Sequence, residues 1–135
     1  MKEFILSENE LNVIFENLPK NGVILLQGDL ASGKTTLVKK FTSFLGLKND
    51  VTSPTFSVVQ EYKNNDFTIF HYDIYQDGMD GILKNGLFEN FFINALHLVE
   101  WGDDSLKSYL DKFKIKNITI KITNLDDKRK YEIYE

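Results

Sequence analysis

The chain has 135 residues, a length that suits one domain, with 42% hydrophobic residues, 27% charged residues and a net charge of −4. It has no cysteine and only two histidines, His71 and His97, which excludes a disulfide framework, a cysteine zinc site and a histidine-rich metal cluster. No stretch approaches the ~20 apolar residues of a membrane span, Met1-Lys2-Glu3-Phe4 does not open a signal peptide, and no basic block exceeds Lys128-Arg129-Lys130. A cytoplasmic protein is therefore expected, without membrane contact and without a basic face for direct nucleic-acid binding.

Ser7-Glu8-Asn9-Glu10 reads as a capping box, and Leu11, Ile14, Phe15 and Leu18 follow at helical spacing until Pro19-Lys20-Asn21-Gly22 ends the helix. Val23-Ile24-Leu25-Leu26 is a continuous apolar run, the pattern of a strand buried on both faces. A glycine-bearing loop, Gly28–Gly33, leads to a second helix with Leu37, Val38, Phe41 and Leu45 on one face and Gly46 as its C-cap. After the polar loop Thr52-Ser53-Pro54-Thr55, the segments Phe56–Tyr62 and Phe67–Tyr72 predict a hairpin turning at Asn64-Asn65. Asp77–Gly86 reads as a loop with a short helix, and Leu87–Phe92 as a helical turn whose Phe88, Phe91 and Phe92 suit either core or a partner surface. Ala95–Val99 is a second buried-strand run, Leu106–Phe113 a helix, and Ile115–Ile122 a half-exposed strand. Tyr131–Tyr134 pairs with that strand across Asp126-Asp127. This order predicts one three-layer α/β domain over residues 1–135 with a mixed parallel and antiparallel sheet.

Gly28-Asp29-Leu30-Ala31-Ser32-Gly33-Lys34-Thr35 matches G-x-x-x-x-G-K-[ST], after a strand and before a helix as a phosphate-binding loop requires. Glycines let several N–H groups face one anion, and the helix adds the positive end of its dipole. Lys34 suits the outer phosphates, and the Thr35 hydroxyl a magnesium ion bridging them. Such a loop names a superfamily and not a reaction. A GTPase needs a guanine reader, for which Asn124-Leu125-Asp126-Asp127 lacks the lysine and reads better as a polar turn. A small-molecule kinase commonly clamps the moving phosphoryl group with several arginines, whereas Arg129 is the only one here. A hydrolysing ATPase needs carboxylates at strand ends, and Asp73 and Glu100 qualify, although each equally suits a solvated strand terminus. The single tryptophan, Trp101, suits a nucleotide base or a core cap.

Five motifs then occur in order: Gly28–Thr36, Val51–Phe56 with Ser53-Pro54-Thr55, His71-Tyr72-Asp73-Ile74-Tyr75, Gly86-Leu87-Phe88-Glu89, and Val99-Glu100-Trp101. On these the chain, over about residues 1–105, resembles the bacterial TsaE (YjeE) family of small ATPases required for threonylcarbamoyladenosine formation in tRNA. The resemblance implies a P-loop NTPase fold, ATP and ADP with magnesium as ligands, and TsaD and TsaB as partners that carry the tRNA contact. Gly28 and Ala31, Ser32, Gly33, Lys34, Thr35 and Thr36 would wrap the phosphates, and Thr35 and Glu100 would hold the metal. Lys34, Asp73 and Glu100 would serve turnover, and Trp101 would lie beside the adenine, with Ser7, Glu8 and Lys128 at the edge of the base pocket. Ser53-Pro54-Thr55, His71 and Asp73 would respond to the nucleotide. The sequence departs from the family where Ala31-Ser32 replaces Gly-Ala, Gln76 replaces arginine, and Asp103 replaces glutamate. Slow hydrolysis alone, stimulated by the partner complex, is the expected behaviour, against the alternatives of a kinase or a nucleotide-gated binding module.

Overall fold

Residues 2–6, which the sequence left unassigned, form an edge strand, β1 (Lys2–Leu6), in the computed structural model, which describes residues 1–29, 31–47, 59–75, 78–84 and 86–135. Leu30, Ser53-Pro54-Thr55 and Gln76 lie outside the described residues. The remaining strands are β2 (Gly22–Gln27), β3 (Val59–Lys63), β4 (Thr68–Asp73), β5 (Leu96–Glu100), β6 (Asn117–Asn124) and β7 (Arg129–Tyr134). The helices are α1 (Asn12–Phe15), α2 (Lys34–Phe44), α3 (Gly78–Lys84) and α4 (Asp104–Lys112).

All seven strands join one sheet in the order β1-β7-β6-β2-β5-β4-β3. The four central strands, β6, β2, β5 and β4, run parallel, and antiparallel strands close both sides. The alternation of β2 explains its unbroken apolar run, since both faces are covered. Ile24 and Leu26 pack with Leu37, Val38 and Phe41 of α2, while Val23 and Leu25 pack with Ile82 of α3 and Leu106 and Leu110 of α4. Each such buried side chain stabilises the fold by about 1.5–3 kcal/mol relative to an exposed one. The α/β class, the mixed sheet and the two helical layers are as the sequence predicts.

The capping box is present, with the Glu10 carboxylate accepting from the Ser7 amide at 2.9 Å and its hydroxyl at 2.7 Å. It opens a 3-10 turn, Glu8–Glu10, before α1, so the expected single helix from Ser7 to Leu18 is a turn plus one short helix. Leu11, Ile14, Phe15 and Leu18 still bury one face. Gly46 and Leu47 cap α2 by donating to the Ser43 and Thr42 carbonyls, both at 3.0 Å. The hairpin turns at Asn64, whose side-chain oxygen accepts from the Asp66 and Phe67 amides at 2.9 and 2.7 Å. Of the phenylalanine cluster, Phe91 is core, whereas Phe92 is 59% exposed and meets Phe113 edge-on.

Candidate phosphate-binding site

Parallel pairing brings the carboxyl ends of β4, β5 and β2 side by side, the edge where open α/β sheets hold their ligands. Leu26 is in register with Glu100, and Glu100 with Asp73. The loop leaves β2 at this edge, so Asp73, Glu100 and the start of α2 converge although they are far apart in sequence.

The loop is tightly built around Lys34, which is only 4% exposed. Its ammonium donates to the Gly28 and Asp29 carbonyls at 2.7 and 2.9 Å and to the Ser32 hydroxyl at 3.2 Å. It also lies 3.7 Å from the centre of the Trp101 ring. Burial pushes its pKa below the usual lysine value, opposed by the charges of Glu100, Asp29 and Asp73. A side chain at Gly28 would stand 2.6 Å from Ser32 Oγ and 2.7 Å from the Ile122 carbonyl, so glycine is required by space there. Gly33, at φ +101°, is the N-cap of α2.

Next to the lysine, Thr35 donates its hydroxyl to Glu100 Oε1 at 2.7 Å. The other carboxylate oxygen lies 2.5 Å from Nε2 of the fully buried His71. A carboxylate only accepts, so Nε2 carries the proton in this contact. Nδ1 has no partner among the described residues. Burial raises the Asp73 pKa above its ordinary value; the Tyr75 amide, donating at 3.1 Å, opposes this, and the Glu100 charge adds to the rise. The Thr35 hydroxyl and the Glu100 carboxylate are hard oxygen donors within hydrogen-bond reach of each other, with Asp73 on the adjacent strand. That donor set suits magnesium, which takes one or two protein oxygens and completes its shell with phosphate and water. Among the described residues no cluster of three or more acidic, histidine or cysteine side chains could cage a metal.

Ala31 to Thr36, Asp73, Tyr75, Glu100, Trp101 and Arg129 line one hollow of about 440 Å³. Ser7, Glu8 and Lys128 do not join it; they line an adjoining hollow of about 460 Å³ with residues of the β6–β7 turn. Ala31 and Arg129 border both. Trp101 stands with Lys34 and Tyr75, its ring centre 4.6 Å from that of Tyr75, and is not among the residues of the Ser7 hollow. The residues expected around the base thus fall in two places. A third hollow, about 560 Å³, shares Ser32 and Trp101 with the loop hollow but carries Asp29, Asp103 and Asp104, which disfavours phosphate. Asn124-Leu125-Asp126-Asp127 is a hairpin turn, closed by the Leu125 amide on the Lys128 carbonyl at 2.9 Å. Arg129 is the residue that sequence reasoning missed at the loop. Its being the only arginine was a signal, but nothing local ties the chain's last hairpin to its first loop.

Of the described non-glycine residues with positive φ, Ala31, Trp101 and Lys114, the first two lie at this site. Trp101 has φ +66°, with its amide donating to the Leu26 carbonyl at 2.9 Å, so a bulky residue holds a conformation rare outside glycine directly after Glu100. Ala31 has φ +62°, a torsion that glycine adopts freely. The left-handed conformation costs an alanine roughly 1–2 kcal/mol, while glycine gives back part of this through its freer unfolded chain. Ala31→Gly is therefore expected to stabilise the protein by about 0.5–1 kcal/mol, seen as a higher urea midpoint with an unchanged slope. A lower midpoint would show that the loop does not hold this torsion in solution.

A central parallel sheet, a glycine loop between β2 and α2, and a lysine, a threonine and strand-end acids gathered at the loop define a P-loop NTPase fold. The chain belongs to the TsaE family: the family model described as "Threonylcarbamoyl adenosine biosynthesis protein TsaE" matches residues 7–131. A tRNA threonylcarbamoyladenosine biosynthesis protein TsaE of Rickettsia felis is 37% identical over 93 residues, covering 67% of this chain and 54% of that protein. The matching segment thus spans about half of that relative. The Rickettsia bellii protein of the same name is 33% identical over 125 residues, covering 91% of this chain and 84% of its own length. The crystal structure of Bacillus subtilis YdiB superposes with a TM-score of 0.64 at 27% identity, covering 98% of this chain and 84% of that one.

Proposed function

We propose that this chain is a one-domain cytoplasmic ATPase that binds ATP with magnesium and hydrolyses it slowly, in support of threonylcarbamoyl transfer to adenosine in tRNA by the TsaD–TsaB complex. The observation that carries this reading is the Lys34, Thr35 and Glu100 constellation at the loop, with Asp73 in register beside it. Lys34 and the loop amides offset the charge of the phosphates, and the α2 dipole adds to them. Thr35 and Glu100 would hold magnesium, whose chemistry is to neutralise charge on the outer phosphates. Asp73, with its pKa raised by burial, orients and accepts a proton from the attacking water. His71 keeps Glu100 turned toward Thr35. The acidic chain leaves the tRNA contact to its partners.

Hydrolysis of this kind rests on electrostatic completion of the site, so the isolated chain turns over slowly and the partner complex raises the rate by at least about tenfold. Phosphate release with magnesium, measured with and without the TsaD–TsaB complex, tests this. Equal turnover in both would remove the partner from the mechanism.

A further inference from the structure

We propose that Arg129 is a phosphate-binding residue, gripping the part of the phosphate chain that stays with the nucleotide after the γ-phosphate leaves. This rests on the reading that the loop hollow takes ATP. Arg129 is the first residue of β7, and antiparallel pairing sets it opposite Asn124 at the end of β6. That hairpin carries it back to the loop. A side-chain carbon at Gly33 would stand 2.7 Å from Arg129 Cζ and 3.1 Å from its Nε, so the guanidinium rests on the bare backbone at the start of α2. Gly33 therefore serves two ends: its positive φ and its missing side chain, which leaves room for the arginine.

The guanidinium is oriented. Its Nε donates to Asn124 Oδ1 at 3.2 Å, and Asn124 Nδ2 donates to the Ala31 carbonyl at 3.3 Å. No carboxylate forms an ion pair with Arg129 among the described residues, and none with Lys34. Two cations thus border one hollow, neither in ion-pair contact with a carboxylate, although the charges of Glu100, Asp29 and Asp73 act on Lys34 from further off. A phosphate in that hollow meets both positive charges. The fork of donors on a guanidinium matches phosphate oxygens better than any other side chain.

Position fixes which phosphate. Thr35, Asp73 and Glu100 line the loop hollow alone, and Ser7, Glu8 and Lys128 the neighbouring hollow alone. Arg129 borders both, so it stands where a phosphate chain passes from one to the other, away from the end where hydrolysis occurs. Its interactions are then the same before and after hydrolysis, which lowers Kd for ATP and ADP alike without raising kcat.

Calorimetric titration of magnesium-ADP and of a non-hydrolysable magnesium-ATP analogue into the full chain tests this. Arg129→Gln is expected to weaken both ligands by about tenfold, the diphosphate as much as the triphosphate analogue. Arg129→Lys, keeping charge without the fork, is expected to fall between, and Asn124→Ala, which frees the guanidinium, to weaken both by about threefold. If melting shows Arg129→Gln to be unfolded, the other two variants carry the comparison. Unchanged ADP affinity in the variants overturns the proposal while leaving the ATP reading intact. So does unchanged affinity with turnover lowered a hundredfold, which would make Arg129 a transition-state residue. If the unaltered chain binds neither ligand, the ATP reading fails and Arg129 with it.

Discussion

Lys34→Ala is expected to lower ATP turnover by about a hundredfold or more and to weaken ATP binding by at least about tenfold. The lysine is the one buried cation in the loop, and its ammonium is already held over the site by the Gly28 and Asp29 carbonyls. To meet a phosphate it exchanges one of its three protein acceptors, the third being Ser32 Oγ, for a phosphate oxygen, from a position already at the loop. Stability should respond far less. The substitution leaves two carbonyls without a donor, but it also removes a charge whose burial is unfavourable, as the lowered pKa records. Calorimetry with magnesium-ATP, phosphate release and a melting curve separate these effects. A variant that hydrolyses ATP within tenfold of the unaltered protein would remove Lys34 from the chemistry.

Glu100→Gln is expected to reduce magnesium-dependent turnover by a comparable factor, about a hundredfold, and to cost about 2–3 kcal/mol of stability. The carboxylate accepts from Thr35 on one oxygen and from His71 on the other while only 3% exposed. Glutamine keeps the shape but turns one acceptor into a donor, so whichever way the amide is placed it faces a hydroxyl or an imidazole N–H with its own N–H. Thr35 can rotate its hydroxyl away; His71, packed in the sheet, cannot, so the amide oxygen should go to His71 and the metal side should suffer. The same variant separates enzyme from binding module. If it binds ATP without hydrolysing it and still supports repeated rounds of tRNA modification, hydrolysis is incidental to the function. A rate that does not depend on residue 100 would take the metal-holding role from Glu100.

Much of the site was legible because its parts are local. The loop is one contiguous motif, the run Val23–Leu26 needs both faces covered, and Asp73 and Glu100 follow apolar segments. Their meeting could be anticipated only as strand ends in one sheet; register made it definite. What was hidden is non-local. β1 is five residues long and turns only Phe4 and Leu6 toward the core, and its partner β7 lies at the other end of the chain. No periodicity within five residues reveals such a pairing. The start of β6 was placed two residues early because Ile115 continues the alternation, although it precedes the strand and packs beneath α4's layer. Arg129 was hidden for the same reason as β1: only the assembled sheet brings the last hairpin to the first loop.

The strained torsion at Trp101 has an optical consequence. It is the only tryptophan, and its ring lies against the Lys34 ammonium at 3.7 Å, with Tyr75 on the same side of the hollow. All of the chain's indole emission therefore originates beside the glycine loop, from a fluorophore in contact with the ammonium proposed to meet the phosphates. A ligand that displaces or neutralises that ammonium is expected to change the emission, which titration of magnesium-ATP into the unlabelled chain would read.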